Sequence, residues 1–279
     1  MIQKIVNSIN EILSRHGIQE ISNRDIIVTD ESVSDLVIPG KPLSNRIIDS
    51  LWSSIEEREV FHYTSQRGAE NILNSNSLRL YSILKRYGED EIESFYRNHN
   101  LTAYLREDDN GDPLFKSNLM PNLFYSSFTD VNIDSSQENY FWNCFADNKG
   151  ARFRFKIRAQ NPNFRKIYYE DRPGSPIPLL NELSEMLETD YDRLYLLAGI
   201  SIICSFYLTK QYEIESEYRM LYKKFDSFGP TIKNDGNSDY IDQKFGVATE
   251  TGYLLELLEV QSNSSLTVPS GVNLIKRNT

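Results

Sequence analysis

The chain has 279 residues, 39% of them hydrophobic and 12% aromatic, which is enough to bury a full core and excludes a disordered chain. Its formal net charge of −10 repels phosphate and anionic lipid, so coating of nucleic acid or membrane by overall charge is excluded. The two cysteines, Cys144 and Cys204, form no disulfide framework and no C-x-x-C metal pair; with no basic and apolar leader segment, a reducing cytoplasmic setting is expected.

Ile2, Ile5, Val6, Ile9, Ile12 and Leu13 recur at helical spacing before Gly17, which predicts an amphipathic helix over 2–16 with His16 in its last turn. Short apolar runs follow, then a turn at Pro39-Gly40-Lys41-Pro42 and a helix through "SNRIIDSLWSSI". These make residues 1–55 a helical N-terminal extension to a main domain, 56–279. "EVFHYTS" reads as a strand, followed by a helix from near Ser65 and a short strand at Leu78–Tyr81. Residues 85–118 are charged, with a loop at "DDNGDP". "LFYSSFT" at 123–129 is a strand, and "NYFWNCFADNKG" at 139–150 a helix closed by Gly150.

The next strand, "ARFRFKIR" at 151–158, alternates cleanly: Phe153, Phe155 and Ile157 face a core, while Arg152, Arg154, Lys156 and Arg158 share the other face. Four like charges on one face need solvent, acidic neighbours or a bound anion; both an ion-paired face and a phosphate-binding strip stay open. Helices are expected over 179–188 and 191–206, the apolar "LYLLAGISIICSFYL" at 194–208 being too short and polar-flanked for a membrane span. "EYRMLYKKF" and "KFGVATETGYLLELLEV" close the chain as strands separated by a polar loop at 234–239. The order shows no regular βα alternation, so the fold class is α+β.

There is no G-x-x-x-x-G-K-[ST], G-x-G-x-x-G, H-E-x-x-H or G-x-S-x-G, which sets aside P-loop hydrolysis, Rossmann redox chemistry and zincin proteolysis. What remains is His62 on a strand, the serine pair Ser126 and Ser127, and the carboxylates Glu213, Glu215 and Glu217. Of the three histidines, His99 belongs to no motif and receives no role. Each group has an ordinary structural reading: His62 as a satisfied core or capping residue, the glutamates as a solvated strand face.

Taken together, "FHYTS…GAENILNSNSLRLYS", "FYSSF" and "ESE" at 215–217 resemble the first, second and third motifs of the ADP-ribosyltransferase superfamily, over about residues 60–225. The His-Tyr-Thr segment followed by "FWNCFADNKGARFRF" and "KQYEIESEYRML" also resembles a broad bacterial family with toxin-like transferases of phage defence. The resemblance implies a split β-sandwich core with surrounding helices and NAD as co-substrate. It implies Glu217 and Glu215 as catalytic carboxylates, and His62, Tyr63, Thr64, Tyr125, Ser126, Ser127 and Tyr140 as NAD-binding residues. The motifs mix two branches of the superfamily, so either Tyr125 or Tyr140 is left as the ring that stacks on nicotinamide. Arg154, Lys156 and Tyr212 are expected to bind the acceptor, Arg219 or the basic strand face to hold phosphate, and no metal is required.

Cleavage of the nicotinamide glycosidic bond develops positive charge on the ribose, which a fixed carboxylate stabilises. On a strand, Glu215 and Glu217 would share a face, one serving the ribose and one the acceptor. The expected function is mono-ADP-ribosylation of an intracellular macromolecule, RNA ahead of protein, by a toxin that an antitoxin protein can hold inactive, with no membrane partner. The alternatives are a protein-modifying transferase and an inactive binding module that keeps the fold.

Overall fold

The computed structural model describes residues 1–35, 42–86, 89–224, 229–263 and 266–277, so the expected turn at Pro39-Gly40-Lys41 lies outside the described residues. Helices and sheets mix in an α+β arrangement, and the chain divides into two compact units. One holds residues 1–53, 87–121 and 168–210; the other holds 54–86, 122–167 and 211–279. The expected division into 1–55 and 56–279 therefore gives way to an interleaved one.

The reason lies in what the N-terminal residues need. Helix Ile2–Arg15 is amphipathic as predicted and buries Ile5, Val6, Ile9, Ile12 and Leu13. At its end, Arg15 and His16 both reach Glu182 of helix Pro178–Tyr191, at 3.0 and 3.1 Å. Strand Ser32–Asp35 pairs antiparallel with Ile26–Val28 and parallel with Leu194–Leu196. Buried Asp35 accepts the backbone N–H groups of Ser44 and Ala198 at 2.9 and 3.1 Å. These partners come from later in the chain, which contiguous reading could not supply.

The expected helix over 191–206 is broken. Asp192 turns left-handed at φ +54° and closes helix Pro178–Tyr191; Leu194–Leu196 is strand, and a short helix, Ile200–Ser205, begins after Gly199. No described helix is long and apolar enough to cross a membrane.

The second unit carries the predicted strands. Glu57–Thr64 pairs with Ala151–Ala159, which pairs with Tyr253–Ser262, and Asn273–Lys276 adds in parallel at the edge. A further group is centred on Leu123–Asp130, flanked on one side by Tyr218–Lys223. Along its other edge two strands share the ladder: Ser77–Ser82 pairs at Phe124 and Tyr125, Glu57–Thr64 only at Thr129 and Asp130. The sheet therefore splits beside Ser126–Phe128. Val60, Phe153, Phe155 and Leu255 from one half meet Leu80, Phe124, Phe128 and Met220 from the other in one core, with the rings of Phe128 and Phe155 edge to face at 6.3 Å.

Two local expectations shift. Asp134 caps the helix after the Leu123–Asp130 strand, in a reciprocal capping box with Gln137, so the helix runs Ser135–Cys144. Gly150 does not close it; a Cβ there would sit 2.0 Å from the Thr64 carbonyl oxygen, and the glycine is needed for that close backbone approach.

Candidate functional site

At the split, the backbone of the Leu123–Asp130 strand loses its ladder partner on one edge, and a side chain substitutes. The Nδ1 of His62 lies 3.0 Å from the Ser127 carbonyl oxygen, with the imidazole against the Phe128 ring at 5.7 Å. Strand alternation puts Tyr125, Ser127 and Thr129 on one face and Phe124, Ser126 and Phe128 on the other. Of the serine pair, then, Ser127 faces the site. Ser126, also expected as an NAD contact, is buried opposite core residue Met220 on the other face.

The Ser127 hydroxyl donates to Oε1 of Glu217. Glu217 lies immediately before strand Tyr218–Lys223, and two residues on, Arg219 grips it with both arms: Nε to Oε1 and Nη2 to Oε2, each at 2.9 Å. Glu217 is 3% and Arg219 2% exposed, so this is a desolvated bidentate pair. The ring of Tyr125 lies 4.7 Å from the guanidinium, a cation–π contact. Across the antiparallel ladder Arg219 stands opposite Ser127 on one side and buried Arg165 on the other.

The expected strand through the three glutamates does not form. Lys210–Glu215 is a 3-10 helix, and Ser216 between Glu215 and Glu217 adopts φ +42°. Every other described residue with positive φ is Gly, Asn or Asp, types that tolerate it; a serine there carries strain. Glu215 and Glu217 are therefore not related by strand periodicity. Glu217 goes to Ser127 and Arg219, while Glu215 accepts the Tyr140 hydroxyl at 2.9 Å. Burial, and then the Glu215 carboxylate, push the Tyr140 pKa well up, which keeps this hydroxyl a donor. The turn is tied down by Thr129 Oγ1 on the Glu215 carbonyl at 3.0 Å and by Gln137 Nε2 on the Ile214 carbonyl at 2.9 Å. Tyr212 is half-buried on the same 3-10 helix.

Other candidates lie elsewhere. Tyr63 points to the face opposite His62, stacked on Phe141 at 5.1 Å and edge-on to Trp142 at 5.4 Å, and burial lifts its pKa to about 12. Expected as an NAD contact, it belongs to a local aromatic core on the strand face away from His62. Thr64 ends the strand with its hydroxyl against Gly68 at the start of helix Gln66–Ser75. The basic face of Ala151–Ala159 is ion-paired: Arg152 with Glu138 at 2.9 Å, Arg154 with Glu59 at 2.9 Å, Lys156 with Glu57 at 2.7 Å, and Arg158 with Glu57 and Glu256 at 2.7 and 2.6 Å. The carboxylates come from both flanking strands and the capped helix, so Arg154 and Lys156 do not form a bare cationic strip.

The partnership of Arg219 with Glu217 escaped sequence reading, although their spacing of two at a strand start was a usable signal. Gln137, whose side chain closes the capping box and reaches the Ile214 carbonyl, was not singled out in the sequence. Among the described residues no group of three or more His, Cys, Asp or Glu side chains is placed to hold a metal ion. Compared with protein-family models, curated proteins and solved structures, the chain matches none.

Proposed function

We propose that the chain is an NAD-dependent ADP-ribosyltransferase, with the split-sheet unit as an ADP-ribosyltransferase-like catalytic fold. The observation that supports this best is the convergence of His62, Ser127 and Glu217, from three separate segments, at the split between strands. The donor set suits a dinucleotide: a carboxylate for a cationic ribose, an imidazole for a ribose hydroxyl, a guanidinium for diphosphate and a tyrosine ring for a base.

NAD supplies an activated C1′–nitrogen bond, whose electron pair leaves with nicotinamide as the acceptor's heteroatom bonds to C1′ and gives up its proton. Glu217 stabilises the positive charge that develops on the ribose. Ser127 fixes the plane of that carboxylate. Glu215 takes the acceptor's proton, oriented by the Tyr140 hydroxyl. The ion-paired Arg152–Arg158 face offers little to an RNA backbone, so a protein side chain is the acceptor this reading favours.

A second reading, an inactive binding module, draws on the burial of Glu217 and its bidentate partner. One experiment separates them. Purified protein is incubated with NAD labelled on the adenine side and a cell extract; nicotinamide release and label in a protease-sensitive fraction are expected for wild type and lost in Glu217→Gln. No release by folded wild type leaves the binding module; label in a ribonuclease-sensitive fraction reverses the acceptor choice.

A further inference from the structure

The Glu217–Arg219 pair raises a difficulty that the proposed function does not resolve. Both of the carboxylate oxygens are held by the guanidinium, one also takes the Ser127 hydroxyl, and neither residue is more than 3% exposed. A carboxylate in that state is neutralised by its partner and has no face to offer a substrate. Arg219 is engaged in the same way: its Nε and Nη2 donate to Glu217, and its guanidinium lies 4.7 Å from the Tyr125 ring.

Two features bear on how this arrangement could open. Ser216, immediately before Glu217, is held at φ +42°, and relaxing it would swing the Glu217 backbone. Tyr125, which covers the guanidinium, is only half-buried, so its ring forms the outer layer over Arg219. The charges of the pair also match those of the ligand class in the proposed function. NAD carries an anionic diphosphate and a cationic nicotinamide riboside, and an ion pair that separates can satisfy one with each member.

We infer that Glu217 and Arg219 form a latch that ligand binding opens by exchange of ion pairs: Arg219 leaves the carboxylate for the diphosphate, and Glu217 is released to the cationic ribose. This rests on the proposed function. Arg219 then acts twice, holding the reactive carboxylate masked in the empty protein and binding diphosphate in the complex. The exchange gives each member an opposite charge on the ligand, so neither charge is left buried alone. It also makes unmasking of Glu217 conditional on a ligand that brings both charges.

The latch makes a prediction opposite to that for an ordinary binding residue. In Glu217→Gln, the amide oxygen can still accept one weak bond from Arg219, so the guanidinium is more readily surrendered to a diphosphate. ADP-ribose, which has the diphosphate and lacks the nicotinamide cation, is titrated calorimetrically into wild type and Glu217→Gln. The variant is expected to bind about tenfold tighter or more, the worth of a charge-assisted bond no longer to be broken, while nicotinamide release is abolished. Equal or weaker binding by a Glu217→Gln protein that melts cooperatively overturns the latch.

If that variant does not fold, the wild type decides alone: crystals with a non-hydrolysable NAD analogue are expected to show Arg219 on a diphosphate oxygen and Glu217 turned from it. The bidentate pair intact beside the bound analogue overturns the latch. Wild type that turns over NAD while the pair stays closed refutes the latch and leaves the transferase reading standing. Folded wild type that neither binds the analogue nor releases nicotinamide refutes both.

Discussion

Replacing Arg219 with Met keeps the length of the aliphatic stem and removes the guanidinium from a buried carboxylate. Glu217 would lose two bonds of 2.9 Å to the guanidinium and remain 3% exposed in its present surroundings, with the Ser127 hydroxyl still donating to it. Stranding a charge in this way costs about 3–5 kcal/mol. Removing both charges in Glu217→Leu/Arg219→Met should recover most of that loss, because an apolar pair of similar volume is close to neutral. The expected coupling in the double-mutant cycle is thus at least about 2 kcal/mol. The assay is urea unfolding followed by tryptophan fluorescence in a Trp52→Phe background. Of the two tryptophans, Trp142 lies in the unit that holds the pair and Trp52 in the other, so the remaining signal reports the relevant unit. A loss below about 1 kcal/mol for Arg219→Met, with no recovery in the double variant, is the behaviour of a solvent-exposed pair and would refute the burial argument.

Two further predictions concern stability. His99 is fully buried in the first unit; its Nε2 accepts the Ile177 N–H at 2.7 Å, so Nδ1 carries the proton, facing the Phe95 carbonyl oxygen at 2.6 Å. Burial lowers its pKa from 6.5 to about 4, so the unfolded chain takes up this proton first as pH falls. Its contribution is complete above pH 6.5 and is lost as pH falls towards 4, up to about 3 kcal/mol in all; a Trp52-monitored unfolding series should show that slope, flattened in His99→Gln, and an unchanged slope would sink the assignment. Gly150→Ala places a methyl 2.0 Å from the Thr64 carbonyl oxygen, where only backbone can give way, and should cost about 1–3 kcal/mol in the Trp142 signal. A neutral result would mean that the strand end at Thr64 has slack.

Local order carried the secondary structure. The period of two in Ala151–Ala159, the helical spacing of Ile2–Arg15 and the Ser65 cap of helix Gln66–Ser75 follow from side-chain alternation and backbone hydrogen-bond needs, which operate within a few residues. Resemblance to the three ADP-ribosyltransferase motifs, and not periodicity, marked His62, the serine pair and Glu217 as a set worth joining. Local order failed where a pattern had a competing solution: the glutamates at alternate positions read as a strand, yet a 3-10 helix and a left-handed Ser216 occupy that stretch. The basic strand face left two readings open, and the acidic residues of neighbouring strands, whose register no local pattern encodes, decided for ion pairing.

The sequence by itself determined the α+β class and most of the strands, because periodicity and turn chemistry are properties of adjacent residues, while motif resemblance named the candidates for chemistry. Tertiary structure alone decided that residues 1–53 fold with 87–121 and 168–210, that Ser127 and not Ser126 faces the site, and that Arg219 clamps Glu217. Those outcomes depend on which strands share an edge and where that edge opens, and strand pairing is fixed by long-range burial of the two sheet faces, which is written in no single segment.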